Sequence, residues 1–389
     1  MIFIFFVIKK IVYMNIAERT KYLISVFNYN KIIDVEESGN EIQPYYFQQK
    51  KGLYDIIQLQ NNMPVTTFCP LKDSMIEENC SFPYVIFSPK KIKKSDKCIL
   101  LLHGLNERNW NKYLIWADEL ASRTNTPIIL FPMAFHMNRT PKIWNSPRWV
   151  LPFSDARKKE VTSAKLLTTF NYVLSQRLSL SPLRFYISGR ESVYNIWQLI
   201  NEIKEGVHPL FTKNTDVNIF SYSIGTFLAQ IILMSNPDNL LDNSKLFAFC
   251  GGSILEFMDG TAKDILDSEA NEKIHKYFLD RPLELSFDNI ENAFNQLISK
   301  ERMKNERECF YKKYSDRVKF ITLKNDKVIP TFGVKQALGE YNYNIIGEEL
   351  DFPYQYSHQI PFPTDKEIDN DILSDSLNMM LSRAAEFLS

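Results

Sequence analysis

Five residues in the middle of the chain combine a candidate nucleophile with small neighbours. They are Ser221-Tyr222-Ser223-Ile224-Gly225, and they follow the apolar run VNIF and precede the apolar stretch TFLAQ. A serine on a sharp turn from a strand into a helix has strained backbone geometry and an exposed Oγ. The residues two before and two after it must be small, because strand and helix approach closely there. Gly225 meets this demand, Ser221 stands where glycine is usual, and the context predicts Ser223 as the nucleophile.

Buried strands alternate with helices around this motif. Apolar runs predict strands at 64–71, 83–89, 97–104, 126–133, 217–220, 245–250 and 317–323. Helical patterns occur at 16–27, 112–122, 156–178, 192–203, 226–234 and 371–388. Apolar runs of this length between helices predict an α/β fold, with a mostly parallel central sheet covered by helices on both faces. Ligands then bind at the carboxyl ends of the strands.

The same signals predict the domain organisation. Residues 1–63 are expected to form an N-terminal extension, and residues 64–389 one α/β domain. The stretch 255–313 is helical and charged, has no strand signals, and lies between two strands of the sheet. We therefore expect it to be a small helical cap inserted over the site.

Composition excludes several classes of protein. The chain has 389 residues with 46 Lys and Arg against 46 Asp and Glu, so its formal net charge is zero. A balanced charge gives no electrostatic case for nucleic acid as the main partner. The five cysteines are scattered and none forms a CxxC pair, so we expect reduced structural thiols and no metal site. Glycine is scarce, with 12 residues, which makes each of them informative.

The first residues, MIFIFFVIKKIVYMN, contain an apolar run that is too short to span a bilayer. Lysines follow the run instead of preceding it, and no cleavage site for export comes after it. The segment is either an extension upstream of a start at Met14 or a short core or membrane-touching segment. We expect a cytoplasmic protein without stable membrane insertion, and the sequence does not indicate an oligomeric state.

Over residues 64–389, the sequence resembles the α/β-hydrolase superfamily. The resemblance rests on the Ser223 motif and on His103-Gly104, which ends an early strand. In that family the N–H after such a His-Gly and the N–H after the nucleophile form the oxyanion hole. The resemblance therefore implies Leu105 and Ile224 as the oxyanion donors. The segments HGLNERNW and FHMNRTPKIW suggest a distinct bacterial subfamily.

The resemblance also implies the partners of the serine, in the chain order Ser, Asp, His. The acid is expected after a late strand, where RVKFITLKNDKVIP supplies Asp326. The histidine is expected after the final strand, where DFPYQYSHQIPFP supplies His358. Asp259, in FMDGTAKD, is the alternative acid. No metal or organic cofactor is implied.

Two further residues are candidate substrate contacts. His136 falls just past the carboxyl end of a predicted strand, and Arg139 follows it closely. Either could touch a substrate, whereas ordinary structural packing is the alternative interpretation of both.

The expected function is that of a serine hydrolase with a carboxylesterase-like or lipase-like activity. It would cleave an ester or another acyl bond of a small-molecule substrate through a Ser-His-Asp triad and an acyl-enzyme. Two alternatives stay open. One is an acyltransferase that uses the same triad, and the other is a non-catalytic binding or regulatory protein on a hydrolase scaffold.

Overall fold

The computed structural model describes residues 14–50, 54–364 and 367–389. The N-terminal apolar segment, residues 1–13, lies outside the described residues. The strands are β1 (Ile33–Val35), β2 (Asn40–Gln48), β3 (Ser81–Pro89), β4 (Ser95–Leu102), β5 (Ile128–Leu130), β6 (Phe211–Tyr222), β7 (Leu246–Phe249), β8 (Val318–Leu323) and β9 (Gly347–Leu350). The helices are α1 (Ile16–Val26), α2 (Tyr54–Asn61), α3 (Glu77–Cys80), α4 (Asn111–Thr124), α5 (Pro147–Glu160), α6 (Tyr172–Leu180), α7 (Leu183–Lys204), α8 (Ile224–Ser235), α9 (Ser268–Asp280), α10 (Asn289–Gln296), α11 (Lys304–Lys313), α12 (Thr331–Leu338), α13 (Glu340–Ile346) and α14 (Asn370–Leu388).

The strands form one nine-stranded sheet in the order β1-β2-β3-β5-β4-β6-β7-β8-β9. Strands β4 to β9 pair in parallel, whereas β1, β2 and β3 extend one end of the sheet in antiparallel pairs. Parallel strands with long crossovers place their carboxyl ends along one edge, where loops of different origin meet.

Helices cover both faces of the sheet, because side chains alternate along each buried strand. Leu100 and Leu102 of β4 contribute to the hydrophobic core beneath α7, α8 and α10. Ile99 and Leu101 of the same strand contribute to the core on the opposite face, beneath α1, α4 and α14. The predicted fold, a mostly parallel sheet of the α/β-hydrolase type between two helical layers, is confirmed.

Two sequence-based predictions of secondary structure are wrong. Residues 64–71 form no strand, because a turn closes there, with the N–H of Thr66 bonded to the carbonyl of Cys69. Residues 156–178 are not one helix but the end of α5, a loop and most of α6. In that loop the Asn171 amide donates to the carbonyl of Leu166 and accepts from the N–H of Thr168, and such local bonds compete with helix formation.

The segment before residue 64 contributes to the sheet. We expected the α/β domain to begin at residue 64, whereas β1 and β2 already belong to the sheet, with Ile42 opposite Phe87 of β3. The mixed polar composition of β2 and its Pro44 hide this strand in the sequence, as is common for strands near a sheet end.

All five cysteines are free. Among the described residues, no helix has the length and apolar character needed to cross a membrane.

Candidate active site

Ser223 occupies a strained turn between β6 and α8. Its backbone angles, φ 57° and ψ −127°, lie in a region that residues other than glycine rarely adopt. The turn brings the start of α8 against the end of β4. A Cβ at Gly225 would lie 2.6 Å from the carbonyl oxygen of Leu102 and 2.7 Å from that of His103. This close approach explains the small residue required two positions after the serine.

The first small position of the motif is also accounted for. Ser221 is wholly buried, and its hydroxyl lies 2.9 Å from that of Thr226, in the first turn of α8. The serine that replaces the usual glycine therefore forms a hydrogen bond that ties β6 to α8.

Ser223, His358 and Asp326 form a hydrogen-bonded chain. The Oγ of Ser223 lies 2.7 Å from Nε2 of His358, and Nδ1 of His358 lies 2.7 Å from Oδ2 of Asp326. Asp326 follows β8, and its other carboxylate oxygen accepts the N–H groups of Val328 and Ile329, each at 2.9 Å. With the carboxylate so oriented, the imidazole donates from Nδ1 and presents Nε2 to the serine.

The alternative acid, Asp259, does not join this chain. Its Oδ1 accepts the N–H of Thr261 at 2.9 Å, within its own loop. Of the two candidate acids, the fold brings only Asp326 to His358.

Tyr222 holds His358 in place, a role that the sequence did not reveal. Its hydroxyl donates to the carbonyl of His358, and the two rings stack with centroids 5.5 Å apart. Burial raises the pKa of Tyr222 well above its usual range, so the hydroxyl keeps its proton and remains a donor. The only available signal in the sequence was the position of Tyr222 next to Ser223 in the motif.

The loop after β4 is fixed by His103. Nε2 of its ring accepts the N–H of Met133, 3.0 Å away. The ring proton therefore lies on Nδ1, which donates to the carbonyl of Gly104 at 2.8 Å. Burial lowers the pKa of His103 well below its usual range, which keeps the ring neutral. Leu105, next in this loop, lines a cavity together with Ser223 and Ile224.

The two candidate substrate contacts have different surroundings. His136 lines two cavities beside Leu105. Its Nδ1 lies 2.9 Å from the carbonyl of Ala134, and burial lowers its pKa to about 4. Arg139 is wholly buried and donates to the carbonyls of Pro132 and Asn79. The structure therefore places Arg139 in the interior, as a packing residue, and brings only His136 to the cavities.

Four cavities adjoin the serine or the loop after β4, and three of them contain Ser223 or Ile224. A groove contains Ser223, Tyr222 and His358. An apolar cavity, with about 540 Å³ of empty space, extends from Leu105 and Ile224. The large apolar side chains in its lining are Phe185, Phe227, Leu228, Ile231, Ile290 and Phe294. A third cavity lies between Ser223 and residues 255–313, which contribute Leu255, Met258, Ile265, Leu266 and Ile274.

The segment between β5 and β6 also covers the site. Phe185, on α7, lines three of the cavities around Leu105. From the sequence we expected residues 255–313 alone to cover the site, because helices between two sheet strands look alike whether they pack on a face or over an edge. No group of three or more His, Cys, Asp or Glu side chains among the described residues is arranged to hold a metal ion.

Comparisons with known proteins identify a family and related folds. The model of a family of unknown function, DUF6051, matches residues 14–389. No curated protein matches the chain in sequence. Among solved structures, the chain is similar to EstE1, a carboxylesterase cloned from a metagenomic library, with 10% identity over 96% of this chain and 95% of that one and a TM-score of 0.44. It is also similar to the esterase LipW from Mycobacterium marinum, with 10% identity over 95% and 85% and a TM-score of 0.46. A third similar structure is an esterase from the archaeon Pyrobaculum calidifontis, with 9% identity over 95% and 89% and a TM-score of 0.44.

Proposed function

The chain belongs to the DUF6051 family, and from the geometry of its site we propose that it is a serine hydrolase that cleaves an ester or another acyl bond. The observation that carries the proposal is the chain of two hydrogen bonds, each 2.7 Å, that runs from Ser223 through His358 to Asp326. It begins at a serine with a strained backbone, which is the arrangement expected of an activated nucleophile.

The reaction follows from these groups. His358 accepts the proton of Ser223 as Oγ attacks the acyl carbonyl, and it returns that proton to the leaving group. Asp326 holds the imidazole in the required tautomer and stabilises the imidazolium. The N–H groups of Leu105 and Ile224 stabilise the oxyanion, each contributing about 3–4 kcal/mol. Water then attacks the acyl-enzyme while His358 accepts its proton, and His358 returns that proton to Ser223 as the acid is released.

The cavities support a proposal for where the two parts of the substrate bind. His358 must reach the leaving group, so the leaving group occupies the groove that His358 and Ser223 line. The acyl part occupies the cavity that extends from Leu105 and Ile224, where the lining is mainly apolar and includes His136. Residues 255–313 act as a cap that closes one side of this acyl site.

A fluorophosphonate probe tests the proposal. Such a probe phosphonylates an activated serine, so we expect covalent labelling of the wild type and none of Ser223→Ala. Ser25→Ala, which alters a serine on α1, is the matched control and should label like the wild type. Heat-unfolded wild type should not label, because the hydrogen-bonded chain exists only in the fold.

Labelling, together with an assay of ester consumption, separates the rival functions. A folded wild type without labelling, or equal labelling of Ser223→Ala, would support the non-catalytic scaffold. Labelling combined with ester consumption that speeds up when an alcohol acceptor is added, with ester as the product, would identify an acyltransferase.

A further inference from the structure

A second polar cluster lies at a cavity beside the loop that follows β4. The cavity shares Leu105 and His136 with the acyl site, and two buried arginines, Arg177 and Arg184, form part of its wall. Neither arginine takes part in the mechanism described above.

The cluster holds more positive than negative charge. Both oxygens of Asp73 accept from Arg177, at 2.9 and 3.2 Å, and one also accepts from Arg184 at 2.8 Å. The neighbouring pair of Arg139 and Glu191 is balanced, with an N–O distance of 3.9 Å. All five side chains are buried. Three guanidinium groups thus face two carboxylates, and a buried charge without a partner is costly.

Arg177 points fewer of its nitrogens at acceptors than Arg184 does. Arg184 uses its three nitrogens on Asp73, on the carbonyl of Arg177 and on the carbonyl of Pro64. Arg177 points two of its nitrogens at Asp73, but a guanidinium carries five N–H groups.

Aromatic rings hold the Arg177 guanidinium in place. The ring centroids of Phe135 and Trp144 lie 4.9 and 4.5 Å from its central carbon. Glu107, an acid in the same cavity wall, is paired with Lys112 at 2.6 Å and does not offset the surplus charge.

The position of the cavity indicates which half of the substrate reaches it. Its described walls include Leu105 but neither Ser223 nor His358. The leaving group must lie beside His358, so a group in this cavity belongs to the acyl half.

On the premise of the proposed function, we propose that the acyl group of the substrate carries a carboxylate that pairs with Arg177. Charge-assisted bonds between guanidinium and carboxylate are among the stronger polar contacts in proteins. The surplus in the cluster is one positive charge, which one carboxylate balances, whereas a phosphate monoester would bring about 1.5–2 negative charges. Hydrolysis adds water across the ester and releases an alcohol and a dicarboxylate.

Matched ester pairs test the proposal on the wild type. The substrates are the mono-para-nitrophenyl esters of succinate, glutarate and adipate, each compared with the neutral ester of equal carbon number. Ser223→Ala measures the uncatalysed background. For at least one length we expect the acidic ester to have a kcat/KM at least about tenfold higher. Preference for the neutral ester at every length, with Ser223-dependent hydrolysis, would overturn the proposal.

Two variants assign the preference to Arg177. Arg177→Met leaves Asp73 paired with Arg184 alone, one charge against one, and should lose the preference for the acidic ester while it still hydrolyses the neutral one. Arg177→Lys keeps the charge and should restore part of the preference. Equal preference in Arg177→Met and in the wild type would refute the role of Arg177.

A competition assay does not depend on turnover or on the variants. Adipate, glutarate or succinate should slow fluorophosphonate labelling of Ser223 in the wild type, and inorganic phosphate should not. Slowing by phosphate alone would overturn the assignment to a carboxylate. Absence of any labelling would instead contradict the proposed hydrolase, so the two failures are distinguishable.

Discussion

At the scale of single residues, the two oxygens of Asp326 have different tasks. One accepts the backbone N–H groups of Val328 and Ile329, and the other faces Nδ1 of His358. Because two N–H donors fix the first oxygen, the second is held facing the imidazole ring. The acid thus sets which nitrogen of His358 carries the proton.

This geometry predicts the effect of Asp326→Asn. The amide oxygen would face the two N–H groups, and the NH₂ would donate to Nδ1 and move the ring proton to Nε2, where it blocks the serine. We expect kcat for a para-nitrophenyl ester to fall about 10³–10⁴-fold. Asp259→Asn is the matched control and should keep wild-type activity. A larger loss in Asp259→Asn would make Asp259 the acid.

At the scale of elements, the site depends on how closely α8 approaches β4. The sequence predicted the need for a small residue at Gly225, because that demand is local and visible in five residues, but it did not indicate that the neighbour is β4. Strands β1, β2 and β9 were missed, since their short or mixed segments gain stability only from pairing with neighbours. The loop between α5 and α6 was missed because its side-chain hydrogen bonds cannot be read from periodicity.

Two glycines that both lie in helices test the contact. Gly225→Ala places a Cβ against the carbonyl oxygens of Leu102 and His103, so we expect the free energy of unfolding in urea to fall by about 1–3 kcal/mol. Gly189→Ala in α7 meets nothing within 4 Å and should raise it by about 0.5–1 kcal/mol. Equal stability of Gly225→Ala and the wild type would contradict the close approach.

At the scale of the whole molecule, the cover of the site is assembled from distant segments. Asn106, in the loop after β4, donates to the carbonyls of Phe170 and Asp264. Arg157 of α5 donates to the carboxylate of Asp267, at the start of α9. Both segments over the site are thereby tied to each other and to the loop after β4.

Buried neutral histidines give the whole molecule a predicted pH dependence. Burial lowers the pKa of His136 and of His208 to about 4, and that of His103 well below its usual value. In the unfolded chain these rings bind protons near pH 6.5. Between pH 6.5 and 4 the unfolded state therefore binds more protons, and stability falls as the pH falls. We expect His136 and His208 each to lower the free energy of unfolding by about 2 kcal/mol from pH 7 to pH 5.

His208→Gln provides the check, with urea unfolding at both pH values. The ring of His208 lies 3.0 Å from the hydroxyl of Tyr84 and lines neither of the described cavities that contain Ser223. We therefore expect the variant to remove one titrating group without altering the site. Its stability should change by about 2 kcal/mol less than that of the wild type over the same interval. Identical pH dependence of the two proteins would show that His208 is not a source of the effect.

The resemblance to a known family supplied Asp326 and His358, whereas the sequence by itself determined the position of the serine turn and the alternation of strands and helices. These features follow from local sterics and from the periodicity of apolar residues, which neighbouring positions encode. Only the tertiary structure decided between Asp326 and Asp259, placed Tyr222 against His358, and gathered Asp73 with its two arginines. Those contacts join residues that are far apart in the chain, and their geometry depends on how the whole sheet and its covering helices pack.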